Sequence, residues 1–152
     1  MNVTEPLKSH PLTRGLSDAQ LEQLATCSRL APFQEGAVIF REGGEADALY
    51  LIFSGRIVLE QHIPGKGDVK LENLAAGDLL GLSWLLPGGR WVLGARAVEA
   101  TATIALDAKS VHALMDKDVA LGLALAKHVI GQLYQRLEHV RLQRLDVYRG
   151  EK

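Results

Sequence analysis

The chain has 152 residues, 47% of them hydrophobic and 23% charged, with a formal net charge of −1. That length accommodates one domain with a substantial core, and the near-neutral balance argues against a nucleic-acid or membrane-surface partner. Cys27 is the single cysteine, so no intrachain disulfide can form, and no apolar run has the length of a membrane span or the flanks of a leader peptide. A cytoplasmic protein is expected.

Residues 1–14 are polar and contain Pro6 and Pro11, which reads as a flexible arm preceding a single domain over 15–152. Ser17 and Gln20 have the spacing of a capping box, and Leu21 and Leu24 follow at helical spacing, so a short helix is predicted over 18–27, ending before Pro32. The period then changes. Short apolar or alternating runs at 37–40, 48–53, 56–61, 69–74, 95–100 and 101–106 are separated by glycine-bearing turns. Pro64 and Gly65 mark a hairpin tip. Strands spaced in this way predict a mainly β fold with flanking helices, an antiparallel jelly roll of the cupin-like double-stranded β-helix type.

Between the fourth and fifth runs lies an irregular stretch, 77–91, holding both tryptophans, a Pro-Gly-Gly turn and Arg90. Backbone amides around Gly81 and Ser83, together with one arginine, could cradle a small anion, so this loop is the candidate functional centre.

From Asp107 the pattern turns helical, with a short helix over 107–115 and a long one over 118–148. Along the long helix, Val119, Leu123, Ala126, Ile130, Leu133, Leu137 and Val140 recur every four and three residues. Leu121, Leu125 and Val129 form a second apolar flank. One stripe suffices for packing on the chain's own domain; the surplus reads as a parallel homodimer seam through Leu123, Ala126, Ile130, Leu133, Leu137 and Val140.

The order of elements resembles the cyclic-nucleotide-binding domain, as in the catabolite activator and related bacterial regulators. The resemblance is carried by Phe40-Arg41-Glu42-Gly43, by Leu49-Tyr50-Leu51-Ile52-Phe53-Ser54-Gly55, by Gly77-Asp78-Leu79-Leu80-Gly81, by Arg96-Ala97-Val98-Glu99-Ala100-Thr101, and by Arg136-Leu137-Glu138 with Leu145-Asp146-Val147. It implies a ligand-sensing regulatory module with cyclic AMP or cyclic GMP as ligand. Residues 149–152 leave no room for a DNA-reading helix, so the stand-alone sensory form without a helix-turn-helix is expected, with no direct nucleic-acid contact and no membrane.

The family's phosphate-binding cassette reads Gly-Glu-Leu, a short helix, then Arg-Ser/Thr-Ala. Here Gly81 matches the glycine, but Leu82 stands where the ribose-binding glutamate belongs and Ser83 follows. Counting back from Arg96-Ala97 places Trp91 at the arginine position, with Val92 next and Arg90 displaced by one residue. Losing a charged acceptor and a fork donor removes two bonds of roughly 1.5–3 kcal/mol each, enough to turn a micromolar site into a millimolar one. Gly81, Leu82, Ser83, Arg90, Trp91 and Val92 are the candidate ligand residues, with Gln135, Arg136 and His139 as candidate lid residues on the long helix. Arg96 is read as structural, its head pointing to solvent or paired with Glu99 or Asp78.

Three readings stay open: a sensor of the cyclic-nucleotide type with a degenerate cassette, a ligand-free dimeric interaction module, and a sensor for a non-nucleotide anion. Catalysis is not expected. The strands carry no His-x-His of a metal cupin, so no metal site is expected, and neither a Ser–His–Asp nor a Cys–His arrangement can be assembled.

Overall fold

The computed structural model describes residues 3–85 and 88–150. The segment expected as a flexible arm is instead folded: α1 (Thr4–Ser9) and a 3₁₀ turn (Pro11–Thr13) bury Leu7, His10, Leu12 and Thr13. Polarity and two prolines suggested looseness, but Leu7 and Leu12 enter the core shared with the later helices. His10 Nδ1 accepts from the Leu12 amide at 3.1 Å, and its ring meets Phe53 edge-on at 5.3 Å. Burial holds the His10 pKa down to about 4, against smaller opposing contributions from the Asp78 and Ile52 backbone.

α2 (Asp18–Thr26) begins at the predicted capping box, with Gln20 N donating to Ser17 Oγ and Ser17 N donating to Gln20 Oε1. β1 (Ser28–Phe33) follows in a stretch to which sequence spacing assigned no element. It is an edge strand in which only Ala31 is buried, so it carries no apolar alternation, and the edge position tolerates Pro32.

β2 (Val38–Phe40), β3 (Ala48–Ser54), β4 (Arg56–Ile63), β5 (Gly67–Ala75), β6 (Leu79–Leu80), β7 (Gly94–Ala97) and β8 (Thr101–Asp107) complete two antiparallel four-stranded sheets among the described residues, ordered β1-β8-β3-β6 and β2-β7-β4-β5. The strand expected over 95–100 ends at Ala97, and 98–100 form a bend that turns the chain into β8. The two sheets face each other across a cluster containing Tyr50, Ile52, Ile57, Leu59, Leu80 and Ala95. The other face of β3 presents Leu49 and Leu51 to the helices. This central strand is therefore apolar on both sides, and its sequence reads as a continuous run. Gly55, at φ +94°, turns β3 into β4; a Cβ there would lie 2.4 Å from Thr101 Oγ1.

α3 (Ala108–Lys117) is capped by Asp107, whose carboxylate accepts from Ser110 N and Oγ; these bonds hold its pKa below the usual range. α4 (Val119–Gly150) starts after Asp118, which accepts from the Leu121 amide. Leu121, Leu125 and Val129 are buried against the roll, while Leu123, Ile130, Leu133, Leu137 and Val140 are exposed and Ala126 is half-buried. The two flanks read from spacing thus lie on different faces, one covered and one open.

Candidate functional site

The cassette begins where β6 ends. Gly81 takes φ +99°, a conformation side chains resist, and a Cβ on it would stand 2.9 Å from Trp91 Cη2 and 3.0 Å from the Ala48 carbonyl oxygen. A 3₁₀ turn (Leu82–Leu85) follows, with Trp84 N donating to Gly81 O at 3.2 Å. Trp84 points away from the cassette into the helical core, and its carbonyl lies 2.8 Å from His112 Nε2. Pro87 of the expected Pro-Gly-Gly turn, and Leu86 before it, lie outside the described residues.

Trp91 returns to Gly81 from the far side of the loop. It is 5% exposed and stacks on Phe40 with ring centroids 3.8 Å apart and planes 8° from parallel. Its amide donates to Gly44 O at 2.8 Å, and its carbonyl accepts from Gly43 N at 2.7 Å. Gly44 also leaves room for the indole, since a Cβ there would come within 3.2 Å of Trp91 Cδ1. Glycines on two sides and a phenylalanine on one face form a slot for the ring. The neighbours on either side of Trp91 are exposed. Arg90 is exposed, forms an isolated bridge with Glu45, and donates from Nη1 to Gly43 O at 3.0 Å. Val92 is 70% exposed.

A cavity of about 170 Å³ remains between the cassette and α4. The loop lines it with Gly81, Leu82, Ser83, Trp91 and Val92, and the body of the domain adds Leu59, Glu72 and Arg136 among others; Arg90 does not line it. Arg136 comes from the roll-facing side of α4. Its Nη2 donates to the Leu79 carbonyl, while Nε is buried without a hydrogen bond, 3.6 Å from Glu72 Oε1. Desolvation lowers the Arg136 pKa against the opposing pull of Glu72 and Asp78. Gln135 and His139 instead line an adjoining cleft with Asn73 and Asp78, which Glu72 and Arg136 also border, and His139 meets Gln143 at 3.1 Å. So, of the three candidate lid residues, Arg136 alone joins the cassette.

Arg96 pairs with Glu60, not with Glu99 or Asp78 as expected, Nε donating to Oε1 at 2.7 Å. Its cross-strand partner is Val58, two residues before Glu60 on β4, which brings the two side chains within diagonal reach. Glu72, Leu59 and Phe40 are site residues that sequence spacing did not single out. Among the described residues, no group of three or more His, Cys, Asp or Glu side chains is placed to hold a metal, and no helix is long and apolar enough to cross a membrane.

Residues 30–118 match the cyclic nucleotide-binding domain. The chain belongs to this family. The cyclic AMP receptor protein of Thermus thermophilus is 30% identical over 130 residues, covering 86% of this chain and 58% of that protein, so the chain spans little more than half the relative's length. A crystal structure from Geobacter metallireducens matches with a TM-score of 0.80 at 26% identity, over 90% of this chain and 99% of that one. The regulatory domain of Toxoplasma gondii PKA, crystallised with cAMP, matches with a TM-score of 0.67 at 25% identity, over 82% of this chain and 47% of that one. The domain of this chain is Crp/Fnr-like, and a long C-terminal helix, α4, follows its two β-sheets.

Proposed function

We propose that this cyclic nucleotide-binding domain is a homodimeric, non-catalytic sensory module of the cytoplasm whose cassette has been converted to a ligand smaller than a cyclic nucleotide. One observation carries the reading: Trp91, at the position where the family places its phosphate-binding arginine, is buried in a slot against Gly81 and Phe40. The ring fills space near the cassette glycine and supplies no charge. Leu82 cannot accept from a ribose hydroxyl, and Arg90 is engaged with Gly43. The remaining cavity of about 170 Å³ is below the roughly 300–1,000 Å³ of ordinary ligand pockets. Binding of cAMP, as in the Toxoplasma relative, is therefore not carried over to this chain.

The dimer is supported by the open seam on α4, where Ile130 is 63% exposed and Leu123, Leu133, Leu137 and Val140 lie on the same stripe. A stripe of this kind in water favours a second apolar surface, and its four-three spacing suits an identical helix.

Isothermal titration with cAMP and with cGMP tests the ligand reading. The expected result is no heat below millimolar nucleotide; micromolar binding of either would overturn it. Sedimentation equilibrium tests the assembly, and the expected mass is twice the 16.5 kDa of the chain.

A further inference from the structure

We propose that the cleft between the 3₁₀ turn Pro11–Thr13 and α4 is a second binding site, which takes a soluble phosphate or small phosphomonoester. It lies apart from the cassette and does not depend on how the cassette is read. The cleft has a volume of about 190 Å³. Arg14 lines it from the N-terminal segment, and Lys127, His128, Gly131, Gln132 and Gln135 line it from α4.

Charge decides the class of ligand. Three basic side chains line the cleft and, among the described residues, no carboxylate does, although the formal net charge of the chain is −1. Among the described residues neither Arg14 nor Lys127 forms an ion pair, whereas Arg96, Arg136 and Arg141 each meet a glutamate. Two permanent cations and an imidazole around one concave surface raise a positive potential that an anion offsets. A tetrahedral phosphate presents oxygens in several directions and so accepts from both walls, with the Arg14 guanidinium able to form a fork on it.

The two walls are already joined. The Arg14 carbonyl can only accept, so His128 Nε2, 2.8 Å away, carries the proton between them. A protonated His128 keeps that bond and gains a donor at Nδ1. Gln132 is anchored in the same way, Nε2 donating to Gly77 O at 3.3 Å.

Gly131 is an independent sign that the cleft is kept open. It lies inside α4, where glycine weakens a helix relative to alanine. A Cβ on it would meet nothing within 4 Å, so no neighbour in the chain demands a glycine. At Gly122, by contrast, a Cβ would stand 2.9 Å from Met115 O. The missing side chain at 131 leaves room at the wall of the cleft.

Inorganic phosphate and phenyl phosphate are titrated calorimetrically into the full chain at constant ionic strength, with benzoate as the planar, singly charged control. Phosphorus NMR of each phosphate ligand follows the same equilibrium where the heat is small. The better phosphate ligand is expected to saturate near about 1 mM and to bind at least five-fold more tightly than benzoate; which of the two it is assigns the free ion or the ester. Arg14→Gln and Lys127→Gln, both at exposed positions, should each weaken binding at least five-fold. Gly131→Leu removes no charge, favours the helix and should abolish binding. Lys109→Gln, at an exposed position on α3 away from the cleft, should bind as the wild type does. The proposal is overturned where neither phosphate saturates, where benzoate binds as tightly, where Gly131→Leu binds unchanged, or where Lys109→Gln weakens binding as much as Lys127→Gln.

Discussion

Replacing Trp91 by alanine separates a tryptophan that builds the cassette from one that merely decorates a loop. The indole is 5% exposed and stacked on Phe40, and it abuts both Gly81 and Gly44. Its removal loses the transfer energy of a large side chain, the stacking term and the contacts of a slot whose walls are backbone and cannot close. Buried Trp→Ala changes of this kind cost about 3–5 kcal/mol, against a total stability on the order of 5–15 kcal/mol for a domain. At roughly 2–4 °C per kcal/mol for a chain of this size, the thermal midpoint should fall by about 6–20 °C. Circular dichroism melts and urea titrations measure both quantities. Val92→Ala, at an exposed neighbour, should stay within about 0.5 kcal/mol and controls for loop disturbance. The apolar cavity left by Trp91→Ala should also take up indole, raising the variant's midpoint and leaving the wild type unmoved. A loss below about 1 kcal/mol, or a midpoint indifferent to indole, would refute the slot.

Ile130→Asp places a charge in the exposed seam of α4; sedimentation should then report the 16.5 kDa monomer with its fold intact, and an unchanged assembly would remove the seam from the interface. Gly81→Ala forces a side chain into φ +99° and within 3.0 Å of both Trp91 and Ala48; a cost of about 1–3 kcal/mol in urea unfolding is expected, and a neutral result would contradict the close approach. His10 has a folded pKa of about 4 against 6.5 for the free side chain, so below pH 6.5 the unfolded chain takes up a proton that the folded one refuses. The His10 contribution is complete above pH 6.5 and is lost as pH falls toward 4, about 2 kcal/mol of it between pH 7.5 and pH 5. His10→Asn keeps an acceptor for Leu12 N without titrating there; its stability should fall less over that interval, and an identical pH dependence would rule His10 out.

What could be read from sequence divides along physical lines. β3 announced itself because both of its faces are buried, so that Ala48 to Phe53 form an unbroken apolar run. Ser17 and Gln20 showed where α2 starts because a capping box is local chemistry. β1 stayed hidden because its pairing with β8 is long-range and its one buried side chain is Ala31. The N-terminal segment misled for a similar reason: Leu7, His10 and Leu12 acquire their burial from partners such as Phe53 that lie far along the chain. At the cassette, spacing back from Arg96 placed Trp91 at the arginine position, and geometry added the direction of each side chain. Once Trp91 turns inward, Arg90 faces out. The meeting of Glu72 with Arg136 belongs to the packing of α4 on β5 and has no local signature.

The residues of α4 that face the roll, Leu121, Leu125, Val129, Gln132 and Arg136, step by three and four, as the seam does. Of these, Arg136 lines the cassette cavity, and it sits on the same turn as Leu133 and Leu137 of the seam. One helical turn therefore carries a contact to β6 through Leu79 O, the cationic group of the cavity and two residues of the proposed interface. A ligand in the cavity that interacts with Arg136 more strongly in this docked position stabilises the position relative to any arrangement in which Arg136 is free. It can shift the equilibrium only by that difference in affinity. Couplings between sites are typically about 1–3 kcal/mol, the scale of one charge-assisted hydrogen bond such as the one Arg136 makes to Leu79 O. The coupling must run both ways: a dimer that holds Leu133 and Leu137 in place pre-positions Arg136 and tightens ligand binding by the same factor by which the ligand tightens the dimer.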